Sequence, residues 1–376
     1  MRRTALLVAV CLTVVTACRP QLGPSPTPTP SSIAGALTPS QAMTVGIHLP
    51  GAVGSFAAPV LDIGINGTLS ASNVTVTTET FAGGDQAFIG AERTDAVDLF
   101  VSDTATALVA NAAGGDLVLI SSLQTTSSWR LMTLASSKIK TLGQLATSTI
   151  YIDGLHGDEA SLLSAMKKMG ISTDKLKFVF PDDPVVSFDA TQLVDGTIAA
   201  AFVRSFDGYI RLAQFIDPAT GVGVGESFYR EISANFSSSQ LGIWASAASI
   251  TSDDAKIAVE ATLIALTQSF AKCRDDVATC STQVADSSVS DLSVEALAYG
   301  INALNASIWP NSRGLFDVDA IGVQEAVNAA VEVGLVSHVA TDTLIAKNIV
   351  DEASKYWPAG VDRNGASWAP LDLKIP

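Results

Sequence analysis

Val97-Asp98-Leu99-Phe100-Val101-Ser102-Asp103 is an apolar, β-prone run that ends on two small polar residues, and residues 104–113 continue it with the spacing of a helix. A strand that feeds directly into a helix N-terminus is the repeating unit of an α/β fold. Toward the N-terminus the same alternation predicts a strand over 43–49, a Gly-rich loop over 51–54, a helix over 55–63 and a strand over 74–78. A further helix is expected from Gln86, behind Gly83-Gly84-Asp85. Toward the C-terminus a strand at 117–120 closes this first block.

The pattern then restarts. Strands are expected at 129–134, 149–152, 177–180 and 197–203, with helices at 141–145, 158–169 and 187–194. An extended segment follows at 240–245. From Ser252 onward the chain reads as helices over 255–272, 293–303, 318–333 and 341–355. Alternating strands and helices predict largely parallel sheets. Two such blocks before a helical tail predict an α/β chain whose second block is inserted into the first, with crossings near Trp129 and Gln240. We therefore expect lobe 1 to comprise 41–128 and 240–376, and lobe 2 to comprise 129–239. A body of this length exceeds what one core holds, and a cleft between two lobes is where small ligands bind in such folds.

The N-terminus reads as an export signal. Arg2 and Arg3 supply positive charge, residues 5–17 an apolar stretch, and Val15-Thr16-Ala17 places small residues directly before Cys18. The reading is a lipoprotein signal over 1–17, with Cys18 as the lipidated mature N-terminus. A transmembrane anchor is the alternative, but it needs about 20 apolar residues; an ordinary cleaved signal would leave Cys18 a free thiol. Residues 18–40 alternate Pro with Ser and Thr, which favours an extended tether over a packed core. The expected location is outside the cytoplasm of a bacterium, tied to the cell membrane by acyl chains.

The 376-residue chain carries a net charge of −15, which repels phosphate backbones and excludes nucleic acid as an expected partner. With Cys11 in the signal and Cys18 lipidated, Cys273 and Cys280 remain. In an oxidising compartment they are expected to form a disulfide. A metal site is the alternative, and two thiols without a neighbouring His make a poor zinc set. Neither a metal nor a cofactor is expected.

Several pieces together resemble the extracytoplasmic substrate-binding proteins of ABC importers, in the group that binds thiamine pyrimidine precursors, alkanesulfonates and nitrate. They are Val97-Asp98-Leu99 before a helix, Thr141-Leu142-Gly143-Gln144-Leu145 before a strand, Gly154 to Gly157 before a helix, Leu193-Val194-Asp195-Gly196 before a strand, and Gly314-Leu315-Phe316-Asp317 ahead of the helix that ends at Gly334-Leu335-Val336. Ala199-Ala200 departs from the family, which usually has an Asp there. The resemblance implies a periplasmic-binding-protein-like fold of type II, two-lobed, with a discontinuous first lobe. It also implies a small-molecule ligand, an ABC permease as partner, and a monomer. An adhesive or sensory lipoprotein on the same fold is the other non-enzyme class.

Candidate ligand-binding residues lie at strand ends and helix starts. They are His48 and Ser55 around the first loop, Ser102 and Asp103 after the third strand, and Gln124 and Trp129 at the crossing. In the second lobe they are Gly154, His156 and Gly157, then Arg204 and Asp207. Each has a plainer reading: a structural His, an ordinary N-cap, a core Trp, a solvated Arg–Asp pair. Arg204 suits a carboxylate or sulfonate, whereas Asp207 suits an amine or a protonated heterocycle. No Gly-x-Ser-x-Gly occurs and His48, His156 and His338 are the only imidazoles, so catalysis is not expected. The eukaryotic pyrimidine synthase that the family resembles relies on a Cys-rich, His-containing motif this chain lacks. Hydroxyls, amides, imidazoles and flat Trp faces favour a neutral or weakly basic heteroaromatic ligand, such as a vitamin precursor, over an inorganic or sulfonate anion.

Overall fold

The computed structural model describes residues 37–50, 54–70, 72–81, 96–180, 190–216, 221, 229–234, 236, 241–287, 289–337 and 339–375. The expected signal, Cys18, most of the tether, the helix after Gln86, the start of the helix at 187 and His338 lie outside the described residues. The first block supplies β1 (Met43–Pro50), β2 (Val74–Phe81), β3 (Ala96–Asp103) and β4 (Leu117–Ser122). The second supplies β5 (Trp129–Leu134), β6 (Thr149–Ile152), β7 (Lys177–Val179), β8 (Ala200–Arg204) and β9 (Tyr229–Glu231), after which the chain returns as β10 (Leu241–Ser246).

These strands form two five-stranded sheets, ordered β2-β1-β3-β10-β4 and β7-β6-β8-β5-β9. The expected insertion is visible in that order, because the chain leaves the first sheet at β4, builds the whole second sheet and re-enters between β3 and β4. The sheets are mixed and not largely parallel. β1 pairs in parallel with β2 and β3, but β10 runs antiparallel to β3 and β4, and β5 antiparallel to β8 and β9. The cause is directional: Leu241 enters opposite Asp103, at the C-terminal end of β3, so β10 can only run back along it.

Period-two alternation sets which face each strand buries. In β1, Val45, Ile47 and Leu49 are at most 1% exposed in the main core, each worth about 1.5–3 kcal/mol on burial, while Gly46 and His48 turn to the other face. Helices cover both faces: α1 (Gly54–Asn66), α2 (Thr104–Ala112), α3 (Ala160–Lys168), α4 (Thr191–Val194), α5 (Gly208–Ala213), α6 (Asp253–Asp275), α7 (Val277–Asp286), α8 (Val294–Ile308), α9 (Ala320–Glu332) and α10 (Lys347–Ala353). The longest, α6, is well specified at both ends. Ser252 accepts a hydrogen bond from the Ala255 N–H, Asp253 and Asp254 sit in the first turn, and Lys272 and Arg274 in the last, all complementing the helix dipole.

Two differences from the sequence reading have local causes. The helix expected over 341–355 is broken, because Ile345 forms a bridge with Leu119 and Ala346 donates its N–H to the Leu119 carbonyl. The segment between the cysteines is a helix junction: Cys273 in α6 and Cys280 in α7 are disulfide-bonded with Cα atoms 5.5 Å apart, packed beside Ala58, Leu297 and Ile301. Among the described residues no helix is long and apolar enough to cross a membrane.

Candidate ligand site between the lobes

The C-terminal end of β3 in the first sheet and that of β8 in the second face one another. Arg204, the last residue of β8, donates through Nη2 to Asp103 Oδ2 at 2.8 Å and to Asp158 Oδ2 at 3.2 Å. Trp129 at the start of β5 donates its indole N–H to the same Asp103 oxygen at 3.3 Å, and the guanidinium lies 4.6 Å over its ring. Phe202 stacks behind Trp129, ring centroids 4.7 Å apart. Thr106 of α2 reaches across from the first lobe and donates to Asp158 Oδ1 at 2.7 Å, and the Leu155 N–H donates to Asp158 Oδ2 at 2.9 Å.

The side chains of Arg204, Asp103 and Asp158 are 8%, 2% and 2% exposed, so this hub of charge is dry. Burial alone would weaken the guanidinium charge; Asp103, Asp158 and Asp153 outweigh it and hold the Arg204 pKa above its ordinary value.

A second line of contact runs beside the hub. Ser55 near the start of α1 donates to the Phe206 carbonyl at 2.9 Å, and Gly300 of α8 lets that carbonyl approach so closely that a Cβ would sit 2.7 Å from it. Arg211 of α5 donates to Asp291 at 2.9 Å and pairs with Asp207 at 3.5 Å. Burial pushes the Asp207 carboxyl up to about 7 despite Arg211, and Asp153 up to about 6 despite Arg204 and Arg211. Gly157 shows why a glycine is needed where the lobes meet: its φ is +109°, and a Cβ there would lie 2.5 Å from the Thr106 backbone.

Of the candidates expected from the sequence, the structure brings together Asp103, Trp129, Gly154, Gly157 and Arg204, with Ser55 and Asp207 on the adjoining line. Asp103 occupies the N-cap position of α2, but its carboxylate makes no capping hydrogen bond and is engaged by Arg204 and Trp129. Ser102 is buried behind it, where its carbonyl accepts from Trp244. Gln124 lies in the crossing and donates to Ser128 and to Ser307 of α8. His48 lies apart from the hub, 2.9 Å from Asp98 and stacked on Phe100 at 4.8 Å. His156 is on the rim, 64% exposed, beside Glu159 and Phe180. Asp158, Thr106, Asp153 and Arg211 were not among the expected ligand residues; an Asp following Gly154-Leu155-His156-Gly157 was the available signal for the first. Among the described residues no group of three or more His, Cys, Asp or Glu is arranged to hold a metal ion.

Comparison with solved structures gives many matches. The alkanesulfonate-binding protein SsuA of Xanthomonas axonopodis pv. citri, bound to MOPS, is 18% identical, with 84% of this chain and 98% of that chain covered at a TM-score of 0.55. The periplasmic aliphatic sulphonate-binding protein SsuA of Escherichia coli is 15% identical, with 89% and 94% covered at 0.57. The desulfurization enzyme DSZB also matches, at 12% identity with 84% and 99% covered and a TM-score of 0.50. These likenesses establish the two-lobed periplasmic-binding-protein-like fold. No curated protein matches. Residues 83–270, half of the chain and spanning both sheets, match the NMT1/THI5-like family, and the chain belongs to that family.

Proposed function

We propose that this protein is the substrate-binding component of an ABC importer. It captures a small molecule between lobe 1 (41–128 and 240–376) and lobe 2 (129–239) without turning it over. The observation that carries this reading is the meeting of strand ends and helix starts from both sheets at the Asp103–Arg204–Asp158 hub, where a ligand would contact both lobes at once. The membership in the NMT1/THI5-like family and the fold shared with SsuA proteins support it. A non-catalytic role fits the described imidazoles: His48 is paired with Asp98, and His156 lies beside Glu159.

The ligand we favour is a neutral or weakly basic heteroaromatic compound. Arg204 is already matched by two carboxylates, and the hub and its border hold Asp103, Asp153, Asp158 and Asp207 against Arg204 and Arg211. That balance disfavours an added anion, while Asp207, titrating near neutrality, can either donate to or accept from a ring nitrogen. The sulfonate named for both SsuA neighbours is the alternative. Mass spectrometry of ligand released from natively purified protein is expected to find a heterocycle; sulfonates or inorganic anions alone would overturn the ligand reading and leave the binding-protein reading standing.

The protein works outside the cytoplasm, anchored through lipid on Cys18, in this proposal. The Ala17-Cys18 junction after a short apolar stretch supports it. Metabolic labelling with a fatty acid is expected to mark the wild type and not Cys18→Ala; equal labelling of the two would refute the anchor.

A further inference from the structure

A cavity of about 710 Å³, lined by none of the hub residues, lies against the crossing between the lobes. One wall is the face of α3 that presents Ser164, Ala165 and Lys168, spaced at one helical turn. The opposite wall is the face of α9 that presents Glu325, Asn328 and Glu332, and Thr125, Thr126 and Phe236 belong to the crossing segments. Its chemistry is mixed and specific. Met169 and Phe236 give it apolar surface, Met169 being 62% exposed. Ser164 is 1% exposed, lines the cavity, and its hydroxyl has no hydrogen-bond partner among the described residues. A buried hydroxyl left without a partner costs free energy, which a ligand group in the cavity would relieve.

We propose that this cavity is a second binding site, for a small organic amine with an apolar body and a neutral hydrogen-bonding group. Glu332 has Lys167 beside it, so the walls carry no excess charge, and Glu325, which makes no ion pair among the described residues, is the carboxylate open to a cation within a chain of net −15. Glu332 is only loosely engaged, with Lys167 Nζ at 3.9 Å from its carboxylate and 2.5 Å from its carbonyl. The amine sits on Glu325, the apolar body on Met169 and Phe236, and the hydroxyl or carbonyl on Ser164. Because the two walls belong to opposite lobes, an occupant is coupled to their relative rotation, and by linkage the cleft and this cavity alter each other's affinity. The proposal does not depend on which ligand the cleft takes.

The test uses one skeleton in three charge states: tyramine, tyrosol and 4-hydroxyphenylacetate, followed by calorimetry and ligand-observed NMR on the mature protein. Tyramine is expected to bind best and the anion worst. Glu325→Gln, at an exposed position, is expected to weaken tyramine about threefold and leave tyrosol unchanged. Ser164→Ala, which removes the buried hydroxyl, is expected to weaken tyramine and tyrosol alike. The site is overturned if the anion binds as well as the amine, if Glu325→Gln or Ser164→Ala has no effect, or if nothing binds up to about 10 mM.

Discussion

Arg204→Met is expected to cost about 3–5 kcal/mol of stability, because it strands Asp103 and Asp158 without their shared cation in a dry interface. The loss should fall toward the lower end. Asp158 keeps hydrogen bonds from Thr106 and the Leu155 N–H, and Asp103 keeps one from Trp129. Adding Asp103→Asn and Asp158→Asn to Arg204→Met should recover much of the loss, since no unpaired charge then remains. The hub also joins residues of both sheets, so the single variant should show a larger radius of gyration by small-angle scattering. Denaturant titration that finds Arg204→Met within about 1 kcal/mol of wild type would show that the pair is compensated elsewhere.

The second large effect is a loss of stability as pH rises through the neutral range. Asp153 and Asp207 have folded-state values of about 6 and about 7 against an ordinary 3.8, so between those limits the folded protein holds protons that the unfolded chain has released. For acids raised in this way, the stabilising contribution is complete below about 4 and disappears as pH climbs through the folded values. At about 1.4 kcal/mol per tenfold change in proton affinity, the two together amount to a few kcal/mol after screening at these partly buried positions is allowed for. The charged groups around them are Arg204, Arg211 and Asp158, with Asp291 beyond Arg211. Glu260, pushed up to about 7 by burial and then by Glu352, acts in the same direction, so the comparison must be with variants. Chemical denaturation from pH 4 to 7.5 is expected to show a falling curve for wild type and a flatter one for Asp207→Asn, flatter still with Asp153→Asn added. Parallel curves would remove these carboxyls as its cause.

Both effects arise from contacts that no local pattern announces. Asp103 and Arg204 are 101 residues apart, and Thr106 and Asp158 are 52 apart. Thr106 and Asp158 were not singled out, but Asp103 and Arg204 were readable as candidates because they stand at strand ends, where binding groups gather. Their pairing with each other was not. A solvated Arg–Asp pair and a buried hub look alike in sequence, since the difference is set by which surfaces exclude water between them. The plainer reading of Asp103 as a helix cap failed for the same reason: two donors from the other lobe hold its carboxylate more strongly than its own helix does.

By itself the sequence determined the alternation of strands and helices, the restart at Trp129 and the return near Gln240. Periods of two and 3.6 residues express backbone geometry that each segment carries locally. It did not reveal short elements such as α5 and β9, which offer too few residues for a period to declare itself. Only the tertiary structure decided the antiparallel return of β10, the break at Ile345 and the charge balance of the cleft. Strand direction follows from where the chain re-enters the sheet, and the state of a carboxyl follows from what covers it, which are properties of the assembled lobes and not of any segment alone.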